Sequence, residues 1–398
     1  MFDQLPQLPA DPILGLTAQC RADNNPQKVD LGVGVYKNED GQTPVLSAVK
    51  EAERRYFQAE LSKAYLPPAG TEAFIARVNE LTFGANHPAL LDKRVATLQG
   101  TGGCGSLRVA AELIKRSNPQ AKIWISDPSW PNHSALLGNS GLAFEHYPYY
   151  DQSNNSLNFD GMIDALKTAN TGDVVLLHAS CHNPSGADLS QEQWQALTEL
   201  AGSRGFIPLI DMAYQGFGTD VDTDAYGIRL MAHALPEVLV ANSFSKNFGL
   251  YRERVGCVSV VSNSGLVDTI NAQLMNIART IYSMPPAHGA ALVEQVLSDE
   301  SLKSQWLAEL ATMRDRIKQM RTELVDALID AGCPGDFEFI RHQNGMFSFL
   351  GLSKSQVEAL KHDYSVYMVD SSRISICGLN SHNLAYVARA ITETLKRP

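Results

Sequence analysis

Hydrophobic positions along the chain arrive in two rhythms. Between residues 95 and 261 short apolar runs recur, at 95–99, 122–126, 174–179, 206–210, 238–242 and 255–261. Most are continuously apolar rather than alternating, as parallel strands covered on both faces should be. Helical patterns separate them, and strand–helix alternation on this scale predicts an α/β fold with a mainly parallel central sheet. A second rhythm starts at Trp306. Trp306, Leu310, Met313, Ile317, Met320, Leu324 and Leu328 recur every three or four residues, which predicts a long amphipathic helix ending near Gly332. Strand-like segments at 345–350 and 373–376 and a terminal helix follow. The chain has 398 residues, too many for one ordinary core. The expected division is an N-terminal arm and part of a small domain at 1–45, a large domain at 46–310, and the rest of the small domain at 311–398.

Composition narrows the class. Apolar residues make up 44% and charged residues 19% of the chain, the balance of a globular protein. A formal charge of −10 argues against nucleic acid as main partner, since phosphate backbones attract basic surfaces. The opening MFDQLPQLPADPILGL carries no basic or continuously apolar leader pattern, and no apolar run approaches a bilayer span, so a cytoplasmic protein without membrane contact is expected. Cysteines 20, 104, 181, 257, 333 and 377 are far apart with no CxxC pair. Neither a metal site nor a disulfide framework is expected from them.

Polar residues cluster just after the apolar runs. Gly102, Gly103, Cys104 and Gly105 follow the first, Asp127 to Trp130 the second, and His182, Asn183 and Pro184 the third. Asp211 ends the fourth, and Ser243-Phe244-Ser245-Lys246 follows the fifth. Carboxyl ends of parallel strands are where open α/β sheets bind ligands. A lone lysine after a strand is usually a solvated charge. Lys246, however, stands among Ser243, Ser245, Arg252 and Arg254. Burial and neighbouring cations lower a lysine pKa and make it nucleophilic, while two hydroxyls and a guanidinium suit a phosphate. A carbonyl-reactive lysine beside a phosphate clamp is what pyridoxal phosphate requires. The glycine cluster does not satisfy G-x-G-x-x-G, so a nicotinamide nucleotide is the weaker reading.

The stretch SFSKNFGLYRERVG at 243–256 resembles the cofactor-lysine motif of class I aminotransferases, in the aspartate/aromatic aminotransferase family. ADPILGL, VDLGVGVYK, DPSWPNH, CHNPSG, DMAYQGF, YSMPPAHGA and NGMFSF fall in family order, so the resemblance spans essentially the whole chain. It implies a fold type I pyridoxal-phosphate transferase, with a large domain and a smaller α/β domain formed by both chain ends. It further implies that Lys246 holds the cofactor covalently, that Asp211 pairs with its ring nitrogen, and that Tyr214 and Asn183 bond its phenolic oxygen. Ser243, Ser245, Arg254 and the backbone of Gly103 and Cys104 match the phosphate site, and Trp130 matches the residue stacked on the ring. The family usually has Thr or Ser where Cys104 stands. His133 and His178 resemble supporting histidines behind the aspartate.

Two arginines bear on the substrate. By resemblance, Arg373 in SSRISICG holds the α-carboxylate, for which a planar fork suits better than lysine. Gly34, Trp130 and Asn183 match further substrate contacts. Arg279 matches the arginine for a distal carboxylate. In the family it comes from the neighbouring subunit, as does the tyrosine matching Tyr65, which touches the cofactor phosphate; together they imply a homodimer. Ala64 and Met284 stand where aspartate-preferring relatives carry asparagine, and fewer polar groups lower the cost of admitting an aromatic ring worth ~2–3 kcal/mol on burial. Val35, Lys37 and Thr43 look aspartate-type. The expected reaction is ping-pong transamination, through pyridoxamine phosphate, between an aromatic amino acid or aspartate and 2-oxoglutarate. A strict dicarboxylate transaminase is the alternative, and a lyase or decarboxylase on the same fold stands behind it.

Overall fold

The computed structural model describes residues 2–7 and 12–397. Met1, residues 8–11 of the arm-like N-terminal stretch, and Pro398 lie outside the described residues. The chain divides into two compact units, Met1–Thr43 with Arg316–Pro398, and Pro44–Asp315. Both chain ends therefore contribute to one unit.

The larger unit is built on seven strands: β1 (Val95–Thr101), β2 (Lys122–Asp127), β3 (Ala143–Pro148), β4 (Val174–His178), β5 (Ile207–Met212), β6 (Val238–Ser243) and β7 (Val255–Val261). Their order is β1-β7-β6-β5-β4-β2-β3. Strands β3, β2, β4, β5 and β6 pair in parallel. Strand β7 runs antiparallel to both β6 and β1. Its apolar run is as continuous as those of its neighbours, because every residue of β4, β6 and β7 is buried. Burial on two faces is what the pattern reports, and it carries no strand direction. The edge strand β3 escaped the apolar pattern altogether. Only Tyr147 of its six residues is buried.

Helices α1 (Gly102–Ser117) and α2 (Val267–Ile281) cover one face of this sheet. Leu107, Ile114, Leu274 and Ile277 pack with Leu98, Ile123, Leu176 and Val258 in one buried cluster, each such side chain contributing roughly 1.5–3 kcal/mol. The expected long helix runs Glu300–Asp330, starting six residues before Trp306. Gly332, at φ +62, follows its end. Trp306 is fully buried, stacked on Phe248 at 4.4 Å between ring centroids, and its indole donates to the Asn247 carbonyl at 2.7 Å.

In the smaller unit, Val29–Asp30 pairs in parallel with Val366–Tyr367. Phe347–Phe349 pairs antiparallel with Arg373–Ser375, within the two segments that read as strand-like. Helices Pro12–Ala22, Lys354–Tyr364 and Leu384–Leu395 lie in the same unit. Among the described residues no helix is long and apolar enough to cross a membrane.

Candidate active site

Strand direction gathers the polar residues. The carboxyl ends of β1, β2, β4, β5 and β6 share one edge of the sheet, and the antiparallel β7 brings its amino end there. Val255 lies opposite Thr101, and Gly256 opposite both Gly100 and Ser243. Arg254, immediately before β7, thus reaches the same edge as Lys246, Asp211 and the start of α1.

Lys246 is part-buried, with its Nζ 4.9 Å from the centre of the Tyr214 ring. Burial lowers its pKa, the charge of Asp211 opposes that, and Arg254 adds to it; the net displacement is downward. Asp211 is 8% exposed, and its Oδ2 accepts from His133 Nε2 at 2.9 Å. Burial by itself would raise this carboxyl. The hydrogen bond from His133, with Lys246 nearby, outweighs it and holds Asp211 below the ordinary range. It is anionic at neutral pH.

Behind Asp211 the hydrogen bonds run in one direction. The Asn183 backbone N–H donates to His178 Nδ1 at 3.3 Å. Burial, the largest cause, pushes His178 down to about 3, so it is neutral and its proton sits on Nε2. That nitrogen lies 3.5 Å from Ser129 Oγ, and Ser129 Oγ lies 2.9 Å from His133 Nδ1. The hydroxyl accepts from His178 and donates to His133. His133 Nε2 then carries the proton given to Asp211, because a carboxylate only accepts. Ser129 joins two histidines into a chain. Sequence reasoning singled out both histidines but not this serine, whose only signal was its place in DPSWPNH.

Asn183 and Tyr214 are both buried, with Asn183 Nδ2 3.5 Å from Tyr214 Oη. Trp130 packs edge-on against His133 at 5.1 Å and against the core cluster beneath the sheet.

Around the start of α1 lies a set of anion donors. Ser243 Oγ donates to Ser245 Oγ at 3.2 Å, and Arg254 Nη1 reaches Ser245 Oγ at 3.4 Å and the Tyr251 carbonyl at 2.9 Å. Gly102 has φ +70, and a Cβ there would fall 2.5 Å from Arg254 Nη2. Only glycine lets the guanidinium lie against the helix start. Arg254 itself has φ +54, left-handed backbone that costs an L-residue about 1–2 kcal/mol. Free N–H groups at a helix N-terminus, two hydroxyls and a guanidinium suit a phosphate dianion. Gly103 packs its backbone against Ser243. Cys104 is part-buried, 4.0 Å from Asn132 Nδ2, and its thiol is a weak donor beside the hydroxyl that a Ser or Thr would offer. The residues present therefore fit pyridoxal phosphate: a lysine for the carbonyl carbon, an anionic carboxylate for the ring nitrogen, and a cradle for the phosphate.

Two expected site residues of this unit are not gathered with the others. Tyr65 is 91% exposed. Arg279 is exposed too, its Nη1 donating to Ser283 Oγ at 2.5 Å. The Leu66 backbone N–H reaches Met284 Sδ at 3.3 Å, which ties the segment carrying Tyr65 to the one following Arg279. Within the smaller unit, Arg373 is 3% exposed and donates through Nη2 to the Gly32 carbonyl at 2.8 Å. Its guanidinium lies 4.2 Å from the centre of the Phe347 ring. Gly34 meets the same ring, since a Cβ on it would stand 2.5 Å from Phe347 Cζ. Phe347 and Gly32 were not singled out from sequence, although Phe347 lies inside the NGMFSF motif.

Comparison with known proteins agrees with this donor set. The family model for aminotransferase class I and II matches residues 26–391. The aspartate aminotransferase of Escherichia coli is 46% identical over 396 residues, covering 99% of this chain and all of that protein. The aromatic-amino-acid aminotransferase of the same organism is 43% identical, again over 99% of this chain and the whole of that protein. The crystal structure of an aromatic-amino-acid aminotransferase from Burkholderia pseudomallei, covalently bound to pyridoxal phosphate, superposes with a TM-score of 0.98 at 45% identity over the full length of both chains. The donor set at the sheet edge and these full-length matches lead to one statement: this chain belongs to the class I and II aminotransferase family and is a pyridoxal-phosphate enzyme.

Proposed function

We propose that the enzyme transfers an amino group between an aromatic amino acid or aspartate and 2-oxoglutarate, as a cytoplasmic homodimer. The observation that carries this reading is the placement of the Lys246 amine beside anionic Asp211, with the anion cradle of Arg254, Ser245 and α1 on the same sheet edge.

When bound, pyridoxal phosphate supplies an electron sink for the pair left at the substrate α-carbon as its proton departs. Asp211 keeps the ring nitrogen protonated, and the directed chain from Asn183 through His178, Ser129 and His133 holds its carboxylate in place. Asn183 and Tyr214 donate to the phenolic oxygen. Lys246 removes and returns the proton at the substrate α-carbon. Its lowered pKa raises the neutral fraction near pH 7, the form that a general base requires. Ser243, Ser245, Arg254 and the amides of Gly103 and Cys104 hold the phosphate, while Trp130 covers the ring.

Arg373 takes the α-carboxylate with its planar fork. Arg279 and Tyr65 serve the site of a second copy of the chain. Their exposure here supports that reading, as does the apolar surface shown by Phe57 and Leu61, at 82% and 97% exposure. Names among the relatives support both substrate classes. A strictly dicarboxylate enzyme is the second reading, favoured by Arg279 and by the 46% identity to an aspartate aminotransferase.

Two measurements test the proposal. The Lys246→Ala protein should lack the visible absorbance of the lysine-bound cofactor and lose amine transfer by about 10⁴-fold or more; retained absorbance refutes the role of Lys246. A kcat/KM comparison of aspartate, phenylalanine, tyrosine and tryptophan with 2-oxoglutarate separates the two substrate readings.

A further inference from the structure

Arg321 lies on the 31-residue helix Glu300–Asp330 and is only 1% exposed. A charged side chain at such depth must be matched by acceptors, since burying it unpaired is costly. Five acceptors come from one short segment. Nη1 donates to the Ile340 carbonyl at 3.2 Å and to Ser348 Oγ at 2.5 Å. Nη2 donates to the carbonyls of Asn344 at 3.1 Å, Gly345 at 2.8 Å and Phe347 at 2.6 Å. Ser348 Oγ in turn donates to Gln343 Oε1 at 2.6 Å. One rigid planar fork therefore gathers both ends of the turn that leads into strand Phe347–Phe349.

That strand carries the surroundings of Arg373. Phe347 pairs in register with Ser375, and Phe349 with Arg373 itself. The Phe347 ring lies against the Arg373 guanidinium at 4.2 Å on one side, and against Gly34, which has no room for a Cβ, on another. Arg373 Nη2 is also held by the Gly32 carbonyl. The Gly32 carbonyl and the Phe347 ring are thus two supports for the direction of its fork. Arg321 fixes the second through the backbone carbonyl of the same residue.

We propose that Arg321 is a positioning residue for substrate binding: by clamping the 344–348 turn it sets the Phe347 ring, and through that ring the aim of Arg373 at the substrate α-carboxylate. A lysine cannot replace it fully. One ammonium has three donors and no plane, against four carbonyls and a hydroxyl spread along the turn. Misaiming a carboxylate fork by about 1 Å is enough to cost orders of magnitude in binding or rate.

This inference rests on the proposed role of Arg373, so the test separates the two. Two probes are applied to the holoenzyme. 2-Methylaspartate carries the α-carboxylate but no α-hydrogen, so it binds without turning over, and its Kd is read from the absorbance change. Methoxyamine carries no carboxylate and reports only access to the cofactor carbonyl, through its reaction rate. In Arg321→Met the Kd for 2-methylaspartate should rise about tenfold or more, while the methoxyamine rate and the resting absorbance stay within about twofold of the parent. Arg321→Lys should fall between. Phe347→Leu, which keeps Arg321 but removes the ring, should reproduce the selective loss, and it stands in if Arg321→Met does not fold. Equal effects on both probes, or none on either, would overturn the inference. Arg373→Lys is measured in parallel. If it leaves 2-methylaspartate binding intact, the α-carboxylate reading itself fails. If it weakens binding selectively while the Arg321 and Phe347 variants do not, only the inference fails.

Discussion

Two parts of the larger unit differ in how complete they are. At the Lys246 edge, Asp211, Asn183, Tyr214, Ser243 and Ser245 are all less than one-tenth exposed, and all belong to one chain. Around Tyr65 and Arg279, residues of the same family motif set stand in open solvent, with apolar Leu61 beside them. The contrast separates two tasks. Chemistry on the cofactor depends on fixed protonation states, which burial and directed hydrogen bonds provide within one chain. In the proposed reading, choice of the distal substrate group falls to an exposed arginine that acts in the site of a second copy.

The sharpest break in this comparison is the Lys246→Ala protein, where chemistry should vanish while Arg279 and its surroundings are untouched. Next in size is Arg279→Ala. A substrate carboxylate left unpaired in a closed site loses about 3–5 kcal/mol. The kcat/KM for aspartate should therefore fall by roughly two orders of magnitude or more, with phenylalanine much less affected. Equal losses would place Arg279 outside distal recognition.

A smaller effect is expected at Cys104. Replacing its thiol with the hydroxyl of Cys104→Ser adds one donor near the phosphate cradle, so cofactor release on dialysis should slow by about fivefold, roughly 1 kcal/mol. Unchanged retention would show that the backbone alone does the holding there. The smallest effect concerns acid stability. The folded pKa of Asp211 lies below its unfolded value of about 3.9. Its contribution is present above that unfolded value and is lost as pH falls through the lower, folded one. Urea unfolding of cofactor-free protein should show a shallower loss below about pH 4 in Asp211→Asn than in the parent. Parallel profiles would mean that Asp211 is not held down as described.

Much of this was legible before the structure. Apolar runs located six of the seven strands, and polar residues after them marked the edge where Lys246, Asp211 and Arg254 gather. Three things were not. Strand direction in β7 is invisible to a pattern that reports only burial, yet it decides that Arg254 meets Ser245. Strand β3 lies at the sheet edge, half solvated, and mixes Glu145 and His146 with its apolar residues. The proton order through Ser129 depends on which ring nitrogen faces which partner, a matter of ångströms that spacing cannot express. Phe347 against Arg373 is of the same kind, a contact between segments whose pairing no local pattern reveals.

The central claim is that Lys246 and Asp211 of one chain act on the cofactor while the partner chain supplies Arg279 for distal recognition. Subunit mixing tests it directly. Lys246→Ala and Arg279→Ala proteins, each inactive toward aspartate, are dissociated together and reassembled. In a hybrid dimer one site collects both defects and the other is intact. Random exchange makes half the dimers hybrid, so aspartate activity should recover to about a quarter of the parent value. A mixture no more active than the sum of its two components, with hybrid dimers shown to be present, would contradict the account and return Arg279 to the site of its own chain.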